Sequence, residues 1–260
     1  MKKLTALVLL FAVVFTAFAL CSCGDKDKEK LQAEEQEKVD YTVKLNDDVF
    51  TYEVLTTDSV AIVGFEGDHI PHAVTIPDKV GERNVVRIAE NAFYYQNNVT
   101  AVVMPDTITS VGALAFAGCS KLTSVTWSKN LSVIEMGAFE GTGLSALSMN
   151  GVAVTEIGNQ AFRNCAALAS VTLPASIRTL GEGSFESCTA IASLTLPQGL
   201  ETIGGLCFHN CSALASLELP ASVAFIGDYA FNGTALSEEN VKTASEAAAA
   251  FFADESKFFN

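Results

Sequence analysis

The chain has 260 residues, is 49% hydrophobic and carries a formal charge of −14 at pH 7. Its 16 Lys and Arg stand against 30 Asp and Glu and form no basic stripe. That excludes nucleic acid as a partner, since such binding needs clustered cations to neutralise phosphates.

Met1-Lys2-Lys3 followed by an apolar run from Leu4 to Leu20 reads as a secretory signal. The run ends in Leu20-Cys21-Ser22-Cys23-Gly24, which is similar to a bacterial lipobox with a small residue before the lipidated Cys. Ser22 before Cys23 fits, whereas Leu20 before Cys21 is too large. An uncleaved anchor helix is the alternative, although 17 apolar residues is short for a span. The expected organisation begins with a signal peptide over 1–22. The lipidated Cys23 and a charged, solvated tether come next, over 23–40, where Lys, Glu, Asp and Gln dominate.

From Tyr41 to Phe65 the pattern alternates. Phe50, Tyr52 and Val54 interleave with polar residues, as do Val60 and Ile62, and Asn46-Asp47-Asp48 and Thr57-Asp58-Ser59 supply turns. A β-hairpin cap over 41–72 is expected, covering the exposed end of a stacked array.

The array itself is a repeat. Phe93, Phe116, Phe139, Phe162, Phe185, Phe208 and Phe231 are spaced 23 residues apart, and a fixed period in this range means stacked coils. In each unit two apolar residues two apart, such as Val171 and Leu173, mark a half-buried strand. Pro174 ends it, having no N–H to donate. Leu180, Ser184 and Cys188 are four apart, the stripe of a turn or two of helix. A solenoid over 73–234, about seven coils, is expected, with the seven Phe in its core and one parallel sheet along one side. The first return leg is longer by about five residues around Gly81-Glu82-Arg83-Asn84. Trp127 and Ser128 replace the strand Leu and the Pro, and Gly141-Thr142-Gly143-Leu144 drops one residue that Asn150-Gly151 restores. Over 235–260 a helical cap starting at Ser237-Glu238-Glu239 is expected to cover Phe225 and Tyr229 with Val241, Ala244, Ala248, Phe251, Phe252 and Phe259.

The strings Ile157-Gly158-Asn159-Gln160-Ala161-Phe162-Arg163-Asn164-Cys165 and Leu168-Ala169-Ser170-Val171-Thr172-Leu173-Pro174 resemble BspA-like leucine-rich repeats. The resemblance covers about residues 41–234. It implies a right-handed leucine-rich repeat α/β solenoid on bacterial surface proteins, several of which are adhesins for host or neighbouring-cell components. It implies no particular ligand.

The chemical candidates reduce to structure. Cys119, Cys165, Cys188 and Cys211 recur once per coil and would stack about 4.8 Å apart pointing the same way. Disulfides need facing Cβ atoms, so these read as buried thiols filling one core slot. Cys207 and Cys211 lack the further ligands of a tetrahedral metal site. Gly141-Thr142-Gly143-Leu144-Ser145-Ala146 has its strand and helix in the wrong order for a dinucleotide loop. His69, His72 and His209 pair with no nucleophile elbow, and His209 is expected to face solvent. No enzyme, metal or cofactor is expected. The remaining surface is the outer side of the strands. There Ser124, Thr126, Ser170, Thr172, Ser193, Thr195, Ser216 and Glu218 form small, hydroxylated rows. They read either as ordinary solvent-side residues or as a shallow binding groove. The expected function is a surface-anchored, monomeric, adhesin-like module. It would bind a protein of host matrix or a neighbouring cell and be held in the cell envelope, facing outward, by its lipid. A glycan-binding accessory component and a structural spacer are the alternatives.

Cys23→Ser should abolish metabolic labelling with fatty acid and leave unprocessed precursor, whereas Cys21→Ala should still be labelled. Label that tracks Cys21 instead would place the lipid two residues earlier.

Overall fold

The computed structural model describes residues 41–45, 48–65, 70–237, 240–243 and 245–253. The signal peptide, Cys23, the tether, the Asn46-Asp47 turn and Phe259 lie outside the described residues. All described residues belong to one unit, 38–260.

Three strands open it: β1 (Tyr41–Leu45), β2 (Asp48–Thr56) and β3 (Ser59–Phe65), paired antiparallel in chain order. The strand Arg83–Ile88 then joins β3 in parallel. The long first return leg is a small hairpin, Lys79–Val80 against Arg83–Asn84, turning at Gly81 with φ 58°.

From here each coil has two legs. On one, strands of three or four residues such as Ser170–Thr172 occupy the positions expected from the sequence. On the other, two-residue strands such as Ser110–Val111, Thr179–Leu180 and Phe225–Ile226 end on the aliphatic residue that precedes the corner Gly. The continuous parallel sheet runs through this second leg and merges with β1 to β3 into eleven strands. The first leg instead forms three separate ladders. The expectation of a single sheet on the strand leg is thereby corrected.

The helical turns expected around each Phe are also absent from the described coils. There the chain takes a left-handed residue two before and two after the Phe. Asn91, Leu114, Gly137, Gln160, Gly183, Leu206 and Tyr229 have φ of 54° to 61°, and Tyr95, Gly118, Gly141, Asn164, Ser187, Asn210 and Gly233 have φ of 56° to 74°. Alternate N–H groups therefore point along the solenoid axis. Asn91, Phe93 and Tyr95 donate to the carbonyls of Ala113, Ala115 and Ala117 in the next coil at 3.0, 2.7 and 2.8 Å. The intervening Tyr94 and Gln96 donate to Asn91 and Phe93 within the turn. A helix would spend these N–H groups on its own chain and leave coil faces unsatisfied, at about 1–3 kcal/mol per buried group. The signal was in the sequence: Gly or Asn at Phe+2 in five of seven coils marks a left-handed position.

The same ladder aligns the rings. Successive Phe side chains from Phe93 to Phe231 stack with centroids 4.9–5.5 Å apart and planes within 13°. All seven are buried. Phe65 meets Phe93 edge-on at 5.3 Å, and at the other end Phe251 and Phe252 lie 6.1 and 5.6 Å from Phe231. Coils approach closely at the Ile-Gly corner: a Cβ on Gly204 would lie 2.6 Å from the Glu182 nitrogen.

The C-terminal segment differs from expectation. Val241–Thr243 adds a strand parallel to Ser216–Leu219, and the helix α1 spans only Glu246–Ala253. Ser245 Oγ donates to the Val223 carbonyl. The two helix aromatics cover Phe231, while Phe225 and Tyr229 remain 57% and 48% exposed. An eighth turn thus occupies the start of the expected helix. The short helix that remains reaches the Phe column and lies against the edge strand Phe225–Ile226 without covering the Phe225 side chain.

Phe162→Ala removes a ring between two stacked neighbours and should destabilise the array by about 3–5 kcal/mol in urea unfolding. Phe251→Ala, at the end of the column, should cost clearly less, because a quasi-one-dimensional array loses fewer neighbour contacts at its end. Equal losses would show that stacking does not propagate along the column.

Candidate functional site

The outer rows of the strand leg carry the candidate residues. Ser124, Thr126, Ser170, Thr172, Ser193, Thr195, Ser216 and Glu218 are all exposed. Alternation of side chains places them outward and sends Leu194 and Leu217 into the core. The pairing brings Ser193 beside Ser216 and Thr195 beside Glu218, with Lys242 next in line. Ser124 and Thr126 belong to a separate ladder with Ala101 and Val103.

The breaks between ladders set the relief of this face. One lies where Gly141–Leu144 shortens its coil: Ser124 to Ala146 is 22 residues, and Ala146 pairs with Ser170, 24 further on. The strand is displaced from its neighbour and restored by the turn at Gly151, φ 76°. A second break separates Ser170–Thr172 from Ser193–Thr195. There a shallow hollow of about 390 Å³ opens, lined by both strands together with Leu173, Leu196 and Pro197. Cα atoms across it still approach within 8 Å. An inserted strand would need about twice the 4.8 Å spacing, so the hollow admits side chains and not a main chain.

Trp127 and Ser128, at the first break, are accommodated without loss. The indole meets Phe139 edge-on at 5.1 Å. Buried Ser128 donates from Oγ to the Ile108 carbonyl at 2.6 Å and accepts from the Asn130 N–H.

The thiol slot has a polar reason. The Sγ of Cys119, Cys165, Cys188 and Cys211 donates to the carbonyl of the Phe one coil earlier, at 3.0–3.2 Å. A small side chain with a weak donor fills the core and satisfies that oxygen together. All four, with Cys207, are free and buried. Burial pushes the Cys119 thiol up to about 11 and the Cys211 thiol up to about 12, from 9.0. Among the described residues no three metal-ligating side chains converge.

On the turn edge, the position after four successive Phe, Phe139 to Phe208, builds an ion-pair row that the sequence reading missed. Arg163 Nε lies 3.0 Å from Glu186, its Nη1 lies 3.9 Å from Glu140, and His209 Nδ1 is 3.6 Å from Glu186. His209 is therefore half-buried beside a carboxylate, not simply solvent-facing. The residues are 23 apart in sequence and meet only because the coils stack.

Parallel coils with a continuous ladder and an apolar column define a leucine-rich repeat solenoid. The BspA type leucine rich repeat region matches residues 86–152 and 150–258 in six copies, and the chain belongs to this family. A leucine-rich repeat protein from Bacteroides ovatus is 28% identical with a TM-score of 0.53, over 75% of this chain and 57% of that one. This chain thus spans a little over half of that protein. The T. pallidum leucine rich repeat protein is 24% identical with a TM-score of 0.52, over 74% of this chain and 89% of that one, and shares the fold. No curated protein matches the chain.

The five buried thiols should resist iodoacetamide in the native protein and react on unfolding, read peptide by peptide by mass spectrometry. The raised thiol values favour folding only while the thiols are protonated. That contribution is complete below pH 9.0 and is lost as pH rises through about 11 to 12. Urea midpoints should therefore fall over that window, and Cys119→Ala should flatten the fall.

Proposed function

We propose that the chain is a lipid-anchored, outward-facing module of a bacterial cell envelope that binds a protein ligand through its strand face and performs no chemistry. The observation that carries this reading is the hollow between Ser170–Thr172 and Ser193–Thr195, set among rows of small hydroxylated side chains. Such side chains hydrogen-bond in either sense and lose little rotamer freedom on contact. The facing strand edges share no ladder and offer main-chain groups as well. A ligand's side chains would enter the hollow while its main chain lies over the rows. The Ser, Thr and Glu rows hold no aromatic platform, which favours protein over glycan on this face. The Ser22-Cys23 junction behind the apolar run supports the anchor, and the charged stretch after it would hold the solenoid off the membrane. The expected ligand is a component of host matrix or of a neighbouring cell.

Thr172→Arg with Thr195→Arg should abolish binding of the chain to whichever immobilised matrix or cell-surface protein it retains. Two long cations would fill the hollow. Stability should change by no more than about 1 kcal/mol, since both side chains point outward on strands. Glu156→Arg, exposed on the other leg, should leave binding intact. A double variant that melts normally and binds with unchanged affinity would move the site off this face.

A further inference from the structure

The turn edge of the first coils carries an aromatic corner that neither the strand face nor the anchor uses. Tyr94 and Tyr95 are 44% and 61% exposed. They meet edge to face, with centroids 4.5 Å apart and planes at 87°. Two rings so placed leave a right angle with a π-face on each wall. The corner opens onto a hollow of about 330 Å³ whose floor includes Gly118 and Gly141 and whose far side holds Glu140 and Asn164. The glycines shape the corner in two ways. Gly118 lets the Tyr95 ring lie on its backbone, where a Cβ would come within 2.8 Å of the ring, and Gly141 leaves open space, since a Cβ there would find nothing nearer than Gly118 backbone at 4.0 Å. The polar wall is held in place: Asn164 Nδ2 donates to Glu140 Oε1 at 3.4 Å. Arg163 stands 3.9 Å from the same oxygen while its Nε faces Glu186 at 3.0 Å. Oε2 is left to accept a hydroxyl proton.

We infer that this corner binds a neutral pyranose ring at the end of, or within, a glycan. A sugar has one face of C–H bonds, which suits a tyrosine ring, and a rim of hydroxyls, which suits a carboxylate acceptor and an amide beside it. The volume lies at the small end of the range for small-molecule sites, roughly 300–1,000 Å³, enough for one or two rings. Glu140 and the chain's charge of −14 disfavour acidic sugars. The corner lies on the turn leg, away from the strand rows, so this site does not depend on the protein-binding reading.

The second coil supplies a variant that spares the fold. It carries Ala117-Gly118 where the first carries Tyr94-Tyr95, with Gly118 left-handed like Tyr95, at φ 74° against 56°. Tyr94→Ala with Tyr95→Gly therefore keeps a backbone the array already uses. Saturation-transfer NMR on the full chain, with lactose, cellobiose and chitobiose as probes, should show transfer from tyrosine ring protons to at least one of them. The double variant should lose affinity for that sugar by at least about tenfold, and Glu140→Gln should weaken it less. Tyr229→Ala, at an exposed tyrosine outside the corner, should leave it unchanged. Sialyllactose should bind more weakly than lactose. The inference is overturned if no neutral sugar binds, if binding survives in Tyr94→Ala with Tyr95→Gly, or if Tyr229→Ala removes it. It is equally overturned if choline chloride binds at the corner and the sugars do not, which would make this an aromatic site for an organic cation.

Discussion

Hydrogen bonds from each coil to the next, at the three alternating positions centred on the Phe, fix everything else in this solenoid. Every donor in the row Phe93, Phe116, Phe139, Phe162, Phe185 and Phe208 reaches a carbonyl 22 residues on. The spacing holds even where the strand leg loses a residue at Gly141–Leu144. A shift of one residue at the Phe would exchange the axial N–H groups with those that bond within the turn and bury unsatisfied donors. The same shift on the strand leg breaks only a short ladder open to solvent. Beyond the first coil, with its longer return hairpin, the irregularities fall on the strand leg and the turns beside it, and that is where the array acquires relief a ligand can recognise.

The Phe column is a consequence of that ladder. Each ring is worth roughly 1.5–3 kcal/mol by burial, with about 0.5–1.5 kcal/mol more from each aromatic pair. By comparison, the ion pairs of the turn edge, at partly exposed side chains, are each worth about 0–1 kcal/mol. The edge residues thus contribute little to stability, and their identity varies along the row: Tyr94, Ala117, Glu140, Arg163, Glu186, His209. Strict core and free edge are two results of one geometry. At its two ends the column meets tilted or edge-on aromatics, Phe65 on one side and Phe251 with Phe252 on the other.

Cysteine in this array belongs to the packing and not to redox chemistry. Its donor goes to the preceding coil's Phe carbonyl, and Thr142 in the same slot lies 3.2 Å from Cys165 Sγ. Ser184 and Cys207, each immediately before its Phe, make a similar contact, also at 3.2 Å. In the inner coils the slot takes small side chains with a hydrogen to give, Cys or Thr.

The sequence by itself determined the period, the residues that face inward and the strand rows that face outward, because a 23-residue repeat leaves each side chain one stacked environment. Val171 and Leu173 announce a strand, and Leu180, Ser184 and Cys188 announce burial, although their spacing of four points to a helix that does not form. Only the tertiary structure decided what that leg does with its N–H groups, since helix and axial ladder bury the same side chains and differ only in where the backbone bonds go. It also decided which leg carries the continuous sheet, and that Val241–Thr243 prolongs a ladder ahead of the helix. The hollow at Ser170 and Ser193 and the corner at Tyr94 and Tyr95 belong to the same category. Each depends on the gap or contact between coils, a distance along the solenoid axis that no single repeat encodes.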